Sequence, residues 1–193
     1  MARITVDPGS FAMVDYDADA IGAVARQVAG ELGVSGDEEI RIEVDETSPL
    51  ARWTIGAWGE GDEPIVLQVD GGAFEDTRRP RQFDERRTAD VVGRLLLRVL
   101  DRRTPAFAGA PAEDELTLAQ GVAWDVYAVG RLVRMGHEGQ RQRRLYQFRN
   151  RHGFSDATDE AFDQIWNASQ LTWAELDAIS AGAMARSVFE PDG

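Results

Sequence analysis

Six consecutive residues, Ile40-Arg41-Ile42-Glu43-Val44-Asp45, alternate strictly between apolar and charged. Only an extended strand has a side-chain period of two. This segment must therefore turn Ile40, Ile42 and Val44 to one face and Arg41, Glu43 and Asp45 to the other. It reads as a strand with one buried and one wet face.

The flanks build a sheet around it. Arg3 to Val6 is a short strand. Ile21, Val24, Val28 and Leu32 then recur at helical spacing, after an opening turn that carries Asp15, Asp17 and Asp19. Two further strands, Arg52 to Trp58 and Ile65 to Val69, are joined by the turn Gly59 to Pro64 and read as a hairpin. The first half is thus β-α-β-β-β, a small, mostly antiparallel sheet with one packed helix. Residues 70–83, rich in Gly, Arg and Pro, read as a long loop.

Helices follow. Thr88, Val92, Leu95, Leu96 and Val99 make the apolar side of a helix over 84–101, with Arg87, Arg94 and Arg98 on an opposite stripe. Thr117 and Gln120 have capping-box spacing and open the longest helix, ending near Gly136. A basic segment, 141–151, and two more helices follow. The last is announced by a second capping box, Thr172 with Glu175, with Leu171 and Leu176 at the staple positions. After Ser187 the tail is expected to fray. The expectation is a single α+β unit over 1–193, residues 1–83 forming the sheet and its helix and 84–193 a layer of four to five helices.

Composition excludes several functions. The 193 residues include no cysteine, which removes disulfides, thiolate metal sites and cysteine catalysis. No apolar run reaches the ~18 residues that span a bilayer. The N-terminus has no apolar signal core, so the expected location is the cytoplasm. All 21 cations are arginine, a usage expected of a GC-rich bacterial genome. Each is a planar fork suited to carboxylate or phosphate. The net charge of −13 is unevenly spread. Residues 1–77 hold 17 acids against 4 arginines, residues 78–151 hold 16 arginines against 9 acids, and residues 152–193 hold 8 acids against 1 arginine.

Two features are candidate sites. On a helical wheel Asp125 falls between Leu118 and Val129, on the face that also carries Val122, Leu132 and Val133. There a carboxylate must pair, for example with Arg52 or Arg98, cap a helix end, or line a pocket. The opposite face holds Gln120, Tyr127, Arg131 and Arg134. The second feature is the run Arg131, Arg134, Arg141, Arg143, Arg144, Arg149 and Arg151, interleaved with Tyr146 and Phe148. Arginines with aromatics suit an anionic partner, a protein surface or a nucleic acid. The acidic balance of the chain argues against nucleic acid.

No nucleophile elbow, phosphate loop or regular acidic calcium spacing occurs in the chain. His137-Glu138-Gly139-Gln140-Arg141 begins like the zinc-peptidase motif, and with the preceding β-α-β-β order it resembles small zincin-like folds. Arg141 stands where the second zinc-binding histidine would be, so the resemblance implies at most an inactive relative. No metal or cofactor is expected. The reading is a non-enzymatic binding or regulatory protein whose partner is another protein, reached through the arginine-bearing helical half. A small-ligand pocket around Asp125, the inactive zincin-like domain and nucleic-acid binding are the alternatives.

Overall fold

The computed structural model describes residues 1–61 and 63–187. The expected fraying after Ser187 lies outside them, as does Asp62 of the hairpin turn. The chain is α+β and divides into two compact units, Met1–Val99 and Leu100–Gly193.

The first unit holds β1 (Arg3–Asp7), α1 (Ala18–Glu31), β2 (Glu39–Asp45), β3 (Trp53–Trp58) and β4 (Ile65–Asp70). The strands form one sheet in the order β1-β2-β4-β3. Alternation is honoured as expected: Ile40, Ile42 and Val44 are buried and Arg41 is exposed. Glu43 is half-buried and accepts a 2.9 Å hydrogen bond from Gln68 Nε2 on β4. The register stacks Ile40 beside Ile65, Ile42 beside Leu67 and Val44 beside Val69, with Ile55 opposite Leu67, so one face is a continuous apolar ladder.

The mostly antiparallel sheet expected from the sequence is corrected. β1–β2 and β2–β4 are parallel, and only the β3–β4 hairpin is antiparallel. Because α1 joins β1 to β2, that pair runs parallel. The hairpin then turns its second strand, not its first, against β2. Alternation reports which face is wet and says nothing about pairing direction.

Residues 70–83 are also corrected, from a loop to ordered structure. A 3-10 turn, Gly71–Ala73, leads into a small hairpin, β5 (Glu75–Asp76) and β6 (Arg79–Phe83). Gly71 to Phe74 are buried. A Cβ on Gly72 would stand 2.0 Å from the Pro49 carbonyl oxygen, an approach that only glycine permits. Tyr16 donates a 2.7 Å hydrogen bond to the Gly71 carbonyl. Burial, with Glu75 nearby, pushes its phenol pKa up to about 12.

Helix α2 (Glu85–Arg102) contains the boundary between the units. Thr88, Val92, Leu95, Leu96 and Val99 are fully buried, as the pattern requires. The opposite arginine stripe is not a wet face, because every residue from Val91 to Val99 is buried. The Arg94 and Arg98 guanidinium groups lie 5.3 and 5.1 Å from the centre of the Trp53 ring, and Arg94 also meets Asp90 at 3.3 Å. Their stems pack as hydrocarbon while the charge rests on the ring face.

In the second unit lie α3 (Leu118–Arg134), α4 (Arg141–His152), α5 (Asp156–Asn167) and α6 (Trp173–Ser187). Both capping boxes form: Thr117 with Gln120, and Thr172 with Glu175. Phe107, Trp124, Tyr127, Phe148, Phe162 and Trp173 lie in one buried cluster. Gly130 of α3 packs directly on α5, where a Cβ would stand 2.1 Å from the Trp166 carbonyl oxygen. No helix among the described residues is long and apolar enough to cross a membrane.

Candidate functional site

Helix α3 is buried on most sides along its middle, with Val129 and Leu132 of its Leu and Val pattern buried as well as Trp124 and Tyr127 across from them. Leu118, at the centre of that pattern, is 68% exposed, and Val122 and Val133 are half-buried. Asp125 accordingly sits at a half-buried position and not at the centre of the core. The opposite side meets the helical core through satisfied polar groups. Gln120 Nε2 donates to Asp177 at 2.8 Å. The Tyr127 hydroxyl accepts from the Leu171 amide at 3.0 Å. Arg134 donates to the Trp166 carbonyl at 2.7 Å and also to that of Ala168.

Arg131 is held most tightly. Its guanidinium donates to both oxygens of Asp101 at 2.7 and 2.6 Å, and Asp101 also accepts from Trp124 Nε1 at 2.8 Å. The guanidinium carbon lies 3.9 Å from the centre of the Tyr127 ring. This near-buried cluster holds the end of α2 against α3 and is structural in character. Asp101 was not singled out by the sequence reading. The available signal was an acid in the last turn of a helix, where the dipole disfavours it without a partner.

Two arginines of the basic run are paired with acids of α5. Arg141 pairs with Asp163 and Arg149 with Asp159. Arg144 is half-buried. What stays on the outside of α4 is a smaller group. Arg143 is exposed, with one long 3.4 Å contact to Gln140 Oε1, and Arg151 is exposed. Tyr146 and Phe154, each 60% exposed, pack edge to face at 6.0 Å. Residues 139–155 contain five arginines and no acid.

His137 and Glu138 lie between α3 and α4, off any helix, so the spacing shared with the zinc-peptidase motif does not place two ligands on one helical face. Among the described residues no group of three or more His, Asp or Glu side chains could hold a metal. His152 is buried and stacked on Phe148. Its Nδ1 lies 3.0 Å from the Phe148 carbonyl, so Nδ1 carries the proton and Nε2 accepts from the Ser180 hydroxyl at 2.8 Å. Burial pushes the imidazole pKa below its usual value. Ser180 is buried too, so the pair is a packed hydrogen-bonded link between α4 and α6.

A groove of about 570 Å³ opens in the first unit. It lies at the carboxyl ends of the three parallel strands, each of which ends in an aspartate: Asp7, Asp45 and Asp70. Glu43, Arg52 and Gln68 also line it. Asp45 Oδ1 accepts from the Thr47 hydroxyl and amide at 2.6 and 3.0 Å, which lowers its carboxyl pKa. Parallel strands commonly open their ligand crevices at this edge. The groove was not foreseen, because its acids converge only once the strands pair in parallel.

No protein-family model, curated protein or solved structure matches the chain.

Proposed function

We propose that this chain is a binding protein that meets a protein partner through the outer face of α4. The exposed Tyr146–Phe154 pair, flanked by Arg143 and Arg151, carries the reading. Two adjacent aromatic rings left in water are costly unless something covers them, and aromatics with arginine are the residues enriched at binding hot spots. The stretch lacks any acid of its own, so the complementary surface is an acidic one with apolar anchors.

Nucleic acid is the competing occupant, since arginine with aromatics also fits stacked bases and phosphates. A chain with a net charge of −13 repels a polyanion at long range, which favours the compact acidic patch of a protein. Fluorescence anisotropy with a labelled peptide of alternating glutamate and leucine, set beside single-stranded oligodeoxythymidine, separates the two. The peptide is expected to bind in the micromolar range, with at least tenfold loss in the Tyr146→Ala/Phe154→Ala variant. Tighter binding of the oligonucleotide, or peptide binding indifferent to the substitution, overturns the proposal.

A further inference from the structure

We infer that the occupant of the α4 face is a second copy of this chain, which presents the carboxylate-lined groove at the ends of β1, β2 and β4. The inference rests on the reading of α4 as a partner-binding face and names that partner.

Charge complementarity is the first ground. The groove brings together Asp7, Glu43, Asp45 and Asp70 with Arg52, inside a segment, 1–77, that holds 17 acids against 4 arginines. The α4 stretch 139–155 holds five arginines and no acid, with Arg143 and Arg151 exposed. A guanidinium fork is the group best matched to paired carboxylates.

Spacing is the second ground. Arg143 and Arg151 are eight residues apart on one helix, a separation of about 12 Å along the axis at about 1.5 Å per residue. The groove crosses β1, β2 and β4, adjacent strands in the sheet. Their outer aspartates, Asp7 beside Glu43 and Asp70 beside Asp45, are two strand spacings apart and two residues out of step, about 12 Å in all. The two arginines, about 80° apart around the axis at about 100° per residue, can therefore address acids at both ends of the groove together, with Tyr146 on the other side of Arg143.

The two patches are different surfaces of the same molecule, so the contact is heterologous, and a pair of copies keeps one free α4 face on one copy and one free groove on the other. The like charge of two copies opposes their approach as it does that of a polyanion, and the complementary contact acts within the screening length of about 8 Å. One helix face covers a small area, and the association is accordingly weak and concentration-dependent.

Two variants of the full chain test this. Arg143→Glu/Arg151→Glu removes the basic patch and leaves the groove. Asp45→Asn/Asp70→Asn neutralises the groove, keeps an oxygen to accept from Thr47, and leaves α4. Circular dichroism checks that both fold. In sedimentation velocity the wild-type chain is expected to grow in mean mass with concentration. Each variant alone is expected to stay monomeric. Mixed in equal amounts, the two should form a species of twice the monomer mass, since each supplies the patch the other lacks. A wild-type chain that stays monomeric up to its solubility limit, variants that associate alone, or a mixture that does not combine would each overturn the inference. If the glutamate–leucine peptide still binds the groove variant while no self-association occurs, the α4 face binds a different partner and only the second copy is refuted. If the peptide fails as well, both readings fall.

Discussion

Replacing Asp101 with alanine strips the acceptor from three donors at once: Trp124 Nε1 at 2.8 Å and two nitrogens of Arg131 at 2.7 and 2.6 Å. The Asp101 and Arg131 side chains are only 8% and 17% exposed, so water cannot replace the lost carboxylate. Removing one member of a buried pair costs about 3–5 kcal/mol, because the remaining charge is left without a counterpart. Trp124 Nε1 loses its hydrogen bond to Asp101 as well, worth about 1 kcal/mol. The Tyr127 ring beneath the guanidinium keeps part of the cation's stabilisation, which places the expected total near 4 kcal/mol. Urea unfolding followed by circular dichroism reads this directly. With a denaturant slope of about 2 kcal/mol per molar, the midpoint should fall by about 2 M. Asp101→Asn keeps an acceptor and loses the charge, and should cost about half as much. The control is Asp159→Ala, which breaks the more exposed pair with Arg149 and should cost less than about 1 kcal/mol. If Asp101→Ala costs no more than Asp159→Ala, burial does not set the strength of the Arg131 cluster.

Two further outcomes follow from the same packing. The His152 pKa is lowered in the folded chain, so the unfolded chain takes up a proton that the native one refuses. Its contribution to stability should be present above the unfolded value of about 6.5 and be lost as the pH falls through the folded pKa, and His152→Gln should flatten the fall in unfolding free energy between pH 7 and pH 5. Gly130→Ala should destabilise by about 1–3 kcal/mol in the same urea assay, because its Cβ would press on the Trp166 carbonyl and force α3 from α5. Unchanged stability there would show that the two helices can separate freely.

Features specified within a few residues were legible in the sequence. The alternation at 40–45, the capping boxes at Thr117 and Thr172 and the apolar stripe of α2 all appear where the pattern puts them. Each depends on contacts within one strand, one turn or one helix, which residue order determines directly. The arginine run was legible as a run, but not its division into paired Arg141 and Arg149 and outward-facing Arg143 and Arg151. That division depends on where the acids of α5 arrive.

The chain's order of residues determined that this is an α+β protein, with a one-sided strand at 40–45 and capped helices behind it. Tertiary structure alone decided that the sheet is largely parallel, that three strand-end aspartates meet in a groove, and that Arg94 and Arg98 are buried against Trp53. It also decided that α3 turns Tyr127 and Arg131 inward and leaves Leu118 in water. For the sheet and its groove the reason is that pairing direction depends on strands distant in sequence, and for the buried polar groups it is satisfaction by a partner. A polar side chain is buried whenever a distant partner satisfies it, and the partners here, from Asp101 for Arg131 to Trp53 for Arg98, are brought from other parts of the chain by folding.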